Sequence, residues 1–318
     1  MSEEWTPSAY VARAMSTRPV QIEGTDYTTV VTREALEGMA AQVAADFIPI
    51  VIEHLSYIPP IGRWHTGEVV EAPDGEFELE LRGSALRQLV PADEDPPNVL
   101  GVVDELPAGG SVNLTAELRY EARNFDSDAN QELQADSPFP LKEEHKWAEL
   151  PPLIWTLSIP VVWGAIKFAG SFFEALGKES GEAVARWIRA AWGRSKEPDR
   201  DRMLSIEFLL DDGSVIYGFI PCGKDDDDTH AELLVGLDEA GTLASFAGLQ
   251  QERGALPGMK RAAFLFLDGT WHLAWWTDGE SVFRTRWFDD HMPDPAGFLG
   301  RPLLGTDVNV KPPSEAED

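Results

Sequence analysis

His54 is the histidine whose setting points most directly to chemistry. It follows the apolar run Phe47-Ile48-Pro49-Ile50-Val51-Ile52 and Glu53, and it precedes a short loop that ends at Pro60-Ile61-Gly62-Arg63. An imidazole at a strand end, opposite a hydroxyl on another strand, suits a general base that serves a nucleophile. The hydroxyls offered by a later extended stretch are Ser111 and Thr115. That pair of groups would perform acyl transfer at a carbonyl. A lone histidine after an apolar strand is also the common setting of a purely structural one. If the strand persists, Glu53 points away from His54 and does not orient it.

The elements that must position His54 are legible around it. Val11 and Arg18-Pro19-Val20-Gln21-Ile22 favour an extended segment over Ala9 to Glu23. Thr32 has the chemistry of a helix N-cap, and Glu34 sets a negative charge in the first turn. Leu36, Met39, Ala40, Val43 and Ala44 then form one apolar helical stripe. Phe47–Ile52 reads as a buried strand because it is short and β-branched, and Pro49 places it at an edge or a bulge. Ile61 to Val70 and Gly75 to Arg82 read as two strands joined by a hairpin turn at Ala72-Pro73-Asp74-Gly75. In Phe77-Glu78-Leu79-Glu80-Leu81 the alternation predicts one wet face. Ser84–Val90 fits a short helix, Pro91–Asn98 an acidic loop, and Val112–Tyr120 another strand.

Composition excludes several classes. The chain has 318 residues, 43% of them hydrophobic, and a formal net charge of −29. Such a field repels nucleic-acid phosphates, so no nucleic-acid partner is expected. A single cysteine, Cys222, cannot form a disulfide within the chain or a thiolate zinc cluster. The acidic run Lys224–Asp228 has no second half of an EF-hand loop after it, and no Gly-rich phosphate loop is present. No cofactor and no metal are therefore expected. The N-terminus, MSEEWTPSAY, lacks the basic and apolar regions of a secretory signal, which points to the cytoplasm.

Further along, residues 122–146 lose periodicity and read as an acidic linker. Residues 150–177 carry a single Lys and a single Glu, and after Pro160 the run Val161–Leu176 fits a helix that is apolar nearly all round. Ser180–Trp192 fits a second helix, with Val184, Trp187, Ile188, Ala191 and Trp192 on one stripe. This pair suits either a membrane or partner surface, with a peripheral location, or a hairpin packed on a sheet. Leu204–Leu210 and Val215–Ile220 read as a hairpin. Residues 229–252 carry mixed helical periodicity. Ala262–Leu267, Trp271–Thr277 and Ser281–Phe288 read as a three-stranded meander, with Trp271, Trp275, Trp276 and Trp287 in packing roles. The tail from Pro293 has a disordered composition.

The segment IPIVIEHLSYIPPIGRWHTGEVVEAPDGEFELELRGSAL resembles the capsid-maturation (prohead) proteases of tailed phages, including the Mu-type protease-scaffold proteins. The resemblance covers roughly residues 8–125. It implies a strand ending in the catalytic histidine, His54, and a nucleophile on a later strand whose counterpart here is Asn113-Leu114-Thr115-Ala116-Glu117-Leu118-Arg119-Tyr120. The family's serine falls on Thr115, Ser111 lies four residues earlier, and Glu117 replaces a flanking glycine. Three readings follow: a threonine protease, a serine protease with its register shifted to Ser111, or a protease-like domain that binds peptide without cutting it. The group that orients the histidine would be His65, Glu117 or Asp104; His65 also fits a half-exposed strand residue.

The expected molecule is thus α+β. It has a β-rich protease-like domain at 8–125, a linker at 126–149 and a hydrophobic helical segment at 150–193. An α+β domain at 203–290 and a tail at 291–318 complete it. Its expected activity is that of a serine/threonine-type endopeptidase acting on a protein or peptide. The alternative is an inactive protease-like interaction or scaffold protein. The oligomeric state is left open.

Overall fold

A computed structural model of the chain describes residues 9–21, 28–51, 57–89, 117–121, 124–144, 153–161, 178–195, 202–222 and 226–291. Within them the fold is mixed α/β and rich in sheet.

The first part of the chain gives β1 (Ala9–Ser16), β2 (Val20–Gln21), β3 (Thr28–Thr29), α1 (Arg33–Ala45), β4 (Ile48–Ile50), β5 (Gly62–Glu71) and β6 (Phe77–Ala85). Four of these strands form an antiparallel sheet in the order β1-β6-β5-β4. Thr32 caps α1 as its chemistry predicts, accepting a hydrogen bond from the Ala35 N–H at 3.2 Å. The helix lays Leu36 and Val43 against Leu79 and Leu81. The hairpin turns at Gly75, whose φ of 87° is open to glycine at no steric cost.

Three expectations for this part need correction. Residues 47–51 of the Phe47 run are half-buried rather than buried, and among these described residues only Ile48–Ile50 pair, because β4 is an edge strand with a neighbour on one side. Pro49 had signalled that edge. Glu78 is not on a wet face: it is 7% exposed and is bridged by Arg13 at 2.7 Å and by Arg18. Residues 84–89 do not form the expected helix, and Val90 lies outside the described residues. The strand β6 continues to Ala85, and β7 (Arg87–Leu89) follows, recruited by a partner far along the chain.

The remaining elements are β8 (Glu117–Glu121), α2 (Ser127–Asp136), β9 (Leu141–Glu144), β10 (Leu153–Val161), α3 (Lys178–Gly193), β11 (Arg202–Leu210) and β12 (Val215–Cys222), followed by α4 (Asp226–Arg253), β13 (Arg261–Leu267), β14 (Thr270–Thr277), β15 (Ser281–Arg284) and α5 (Arg286–His291). Together with β7 they build a nine-stranded mixed sheet in the order β7-β15-β14-β13-β12-β11-β10-β8-β9. Two β–helix–β connections organise it: β10 and β11 run parallel with α3 between them in sequence, and β12 and β13 run parallel with α4 between them. One face carries the main core, where Leu204, Ile206 and Phe208 meet Ile188 and Trp192 of α3 and Leu243 and Phe246 of α4.

This sheet runs across the expected domain boundaries. It takes β7 and β8 from the expected protease-like part, β9 from the expected linker and β10 from the expected helical segment. The linker residues 127–144 hold α2 and β9, because Leu133 is fully buried and its carbonyl accepts from the Trp187 indole at 3.2 Å. One buried leucine in a polar helix leaves no stripe to read. Residues 153–161 form a strand rather than part of a helical segment: a strand flanked on both edges by partners is mostly apolar, here broken only by Thr156 and Ser158, and looks like a buried helix. The expected helix Val161–Leu176 lies outside the described residues beyond Val161. The second helix is present as α3, but its stripe faces the protein's own core, with Val184, Trp187, Ile188, Ala191 and Trp192 at 0–6% exposure. That stripe is therefore not a membrane surface. Among the described residues no helix is long and apolar enough to cross a membrane. The meander is present as β13–β15, except that Arg286–Phe288 open α5, where the Thr285 hydroxyl accepts from the Phe288 N–H at 3.2 Å.

Candidate functional site

His54, Ser111, Thr115 and Asp104 lie outside the described residues. The structure does describe the ends of the segments that carry them. The His54 segment leaves β4 at Ile50 and Val51 and resumes at Tyr57. The hydroxyl segment enters β8 at Glu117, two positions after Thr115.

Both ends of the His54 segment rest on the second face of the large sheet. Phe47 and Tyr57 pack against a core of Phe219, Ala263, Leu265, Trp275 and Phe288. The Tyr57 ring meets Phe219 edge-on at 5.9 Å. The Trp275 indole N–H donates to the Tyr57 carbonyl at 2.9 Å, and the Arg261 Nη2 donates to the Phe47 carbonyl at 3.2 Å. Gln88 Nε2 donates to the Pro60 carbonyl at 2.9 Å.

The hydroxyl segment joins the same sheet. Strand register places Glu117, Ser158, Glu207, Tyr217, Ala263 and Trp275 in one transverse row from β8 to β14. The row is polar at the β8 end. Ser158 donates to Glu207 Oε2 at 2.9 Å, and Arg119 bridges Glu117 at 3.1 Å and Glu207 at 3.4 Å. Burial, reinforced by the Glu207 charge, pushes the Tyr217 phenol up to about 12. The phenol thus stays neutral across the ordinary pH range, and its oxygen accepts from the Arg261 guanidinium. The opposite end of the row is apolar and supports Tyr57.

Two of the three expected orienting residues are described. His65 is the unopposed residue of a bulge in β5, between Trp64↔Gly83 and Thr66↔Arg82. It is exposed, and its Nδ1 donates to the Arg82 carbonyl at 3.0 Å. Glu117 is half-exposed, and its Oε1 accepts from the Arg119 Nε. Glu117 lies opposite Ser158 in the strand register, but the Ser158 hydroxyl donates to Glu207.

A cleft of about 220 Å³ lies at the open side of β1, lined by Arg13, Ser16, Arg18, Val20, Val31 and Glu78. Its guanidiniums are already engaged. Arg13 and Arg18 share Glu78, and Arg18 also bonds Asp74 at 2.8 Å, which holds the Asp74 carboxyl below the usual range. This arrangement is an ion-pair cluster rather than a free anion site.

The residues that sequence reasoning missed are Arg261, Gln88, Ser158 and Glu207. A signal existed for two of them. Ser158 and Glu207 are lone polar residues alternating with apolar ones in Leu157-Ser158-Ile159 and Ile206-Glu207-Phe208, which marks a strand with two unlike faces. Arg261 and Gln88 act on backbone carbonyls, and nothing local announces that.

Comparison with protein-family models, with curated proteins and with solved structures finds no match.

Proposed function

We propose that the protein is a serine/threonine-type endopeptidase resembling the prohead proteases, with His54 as general base and Thr115 or Ser111 as nucleophile. The reaction is acyl transfer. His54 takes the proton from the hydroxyl as its oxygen attacks the peptide carbonyl. The C–N bond then breaks and the amine leaves with that proton. Water, deprotonated by His54, attacks the ester carbonyl; the C–O bond to the nucleophile breaks, and the imidazolium returns the proton to its oxygen.

One observation carries this reading: the segments that hold the base and the nucleophile both end on the same nine-stranded sheet. From β8 to β14 is five strand steps in the sheet order, about 24 Å on a flat sheet. His54 is three residues from Tyr57, a reach of about 10 Å, and Thr115 is two from Glu117, about 7 Å. At full extension toward each other these reaches leave about 7 Å between the two backbones. Ser111 has a longer reach and is the easier partner by distance.

A specific observation favours a second reading, a protease-like protein that binds peptide without cutting it. Glu117 follows the expected nucleophile by two positions in the sequence, and its Oε1 accepts from the Arg119 Nε at 3.1 Å. An imidazole would have to share that carboxylate with the guanidinium.

The test is cleavage of an unfolded protein substrate by the full chain and by His54→Ala, Thr115→Ala and Ser111→Ala. Loss of cleavage in His54→Ala and in one hydroxyl variant is the expected result. Equal cleavage by wild type and His54→Ala would overturn the protease reading. Wild type that binds the substrate without cutting it would establish the second.

A further inference from the structure

Beside the β4–β5 pairing and the packing of Phe47 and Tyr57, three hydrogen bonds of one kind hold the Phe47–Pro60 stretch. Each is a side-chain N–H from a distant part of the chain donating to a backbone carbonyl: Arg261 to Phe47, Trp275 to Tyr57 and Gln88 to Pro60. Arg261 and Trp275 are more than 210 positions away from the carbonyls they hold.

The donors are themselves fixed. Trp275 is 1% exposed and sits in the second core of the sheet. Arg261 also donates through Nη1 to the Gly213 carbonyl at 2.9 Å and the Lys260 carbonyl at 2.8 Å, and its guanidinium lies 5.7 Å from the Phe47 ring centre. Gln88 is on β7, which is itself paired to β15 of the same sheet. A hydrogen bond to a backbone carbonyl fixes the course of the chain whatever side chains that chain carries. Two such bonds flank positions 48–56, and a third follows at Pro60.

We propose that residues 202–291 act as the seat of the N-terminal segment, with Arg261 and Trp275 as positioning residues that fix its two ends. The catalytic consequence rests on the protease reading, in which that segment carries the base. The seat itself does not. This assigns a role to the C-terminal part of the chain: it holds the described ends of the segment at a set height over the sheet face whose polar row begins at Glu117. Preorganisation of this kind contributes to catalysis by holding groups in reactive geometry before substrate arrives.

The test uses the full chain with Trp275→Phe, which keeps the ring and removes the N–H, and Arg261→Met, which keeps most of the stem. Hydrogen exchange is read at the amides of Val51, Tyr57 and Ile58, with Ile188 of α3 as a remote reference. Loss of one net hydrogen bond predicts about tenfold faster exchange at the first three and none at Ile188. Unchanged exchange at Val51, Tyr57 and Ile58, or an equal rise at Ile188, would overturn the proposal. Gln88→Leu, at an exposed position, provides the same readout if either core variant fails to fold. In a wild type that cleaves substrate, Trp275→Phe lowers kcat with KM held. A wild type that does not cleave counts against the protease reading, and the exchange result still decides on the seat.

Discussion

Truncating Ile188 tests the burial of the α3 stripe. The side chain has 0% exposure and lies in the main core with Trp192, Leu204 and Phe246. Ile188→Ala removes a branched stem from a site with no solvent to collapse into. At about 0.8 kcal/mol for each buried carbon lost, transfer alone gives about 2.4 kcal/mol. The cavity term raises the expected loss into the range of about 2–5 kcal/mol. Ile188→Val removes less and should cost about 0.5–1.5 kcal/mol. Arg186 lies on the exposed side of the same helix, and Arg186→Ala should stay within about 0.5 kcal/mol. The assay is urea unfolding of the full chain, followed by circular dichroism and by tryptophan fluorescence. The order of midpoints should be Ala variant, Val variant, wild type, with the Arg186 variant beside wild type. An Ile188→Ala loss below about 0.5 kcal/mol would refute the packing argument and return the stripe to a surface role. Binding of the wild type to vesicles through this stripe would do the same.

Two further outcomes follow from single contacts. A Cβ added at Gly218 would lie 2.4 Å from Leu243 Cδ1 and 3.0 Å from two carbons of the Trp271 ring, so Gly218→Ala should cost about 1–3 kcal/mol in thermal or urea unfolding. A melting point equal to wild type would sink this reading; Leu243→Ala in the same chain should recover part of the loss. His272 stacks flat on Trp287 at 4.2 Å, and burial, followed by the neighbouring His291, lowers its pKa from 6.5. The unfolded chain then binds a proton that the folded chain refuses, between the lowered value and 6.5. Stability should therefore fall as the pH drops from 6.5 through that lowered value. His272→Gln should lose less than wild type between about pH 7.5 and about pH 5, read from urea midpoints. Equal losses in the two proteins would count against the burial argument.

Local chemistry was legible wherever it acted over a few residues. Thr32 announced the start of α1, Asp74-Gly75 announced the hairpin, and Pro49 announced an edge. The stripe of α3 was readable to the residue, because five buried positions at helical spacing leave a clear period. Patterns failed where a partner elsewhere in the chain decided the outcome. Residues 87–89 became a strand because β15 pairs with them. Residues 153–161 became one because β8 and β11 lie on either side. Residues 127–136 stayed invisible because a single leucine anchors them.

The same division holds for the candidate site. The sequence alone singled out His54 and its apolar approach, and the protease proposal starts from there. The acidic balance that argues against nucleic acid is also written there. Only the tertiary structure decided that the approach to His54 is held by Arg261 and Trp275, and that Glu117 is tied to Arg119. The reason is physical. A side chain's own type and spacing are written locally, whereas a backbone carbonyl is the same at every residue. Which one a distant N–H will hold is fixed only when the strands that carry the two are brought into register.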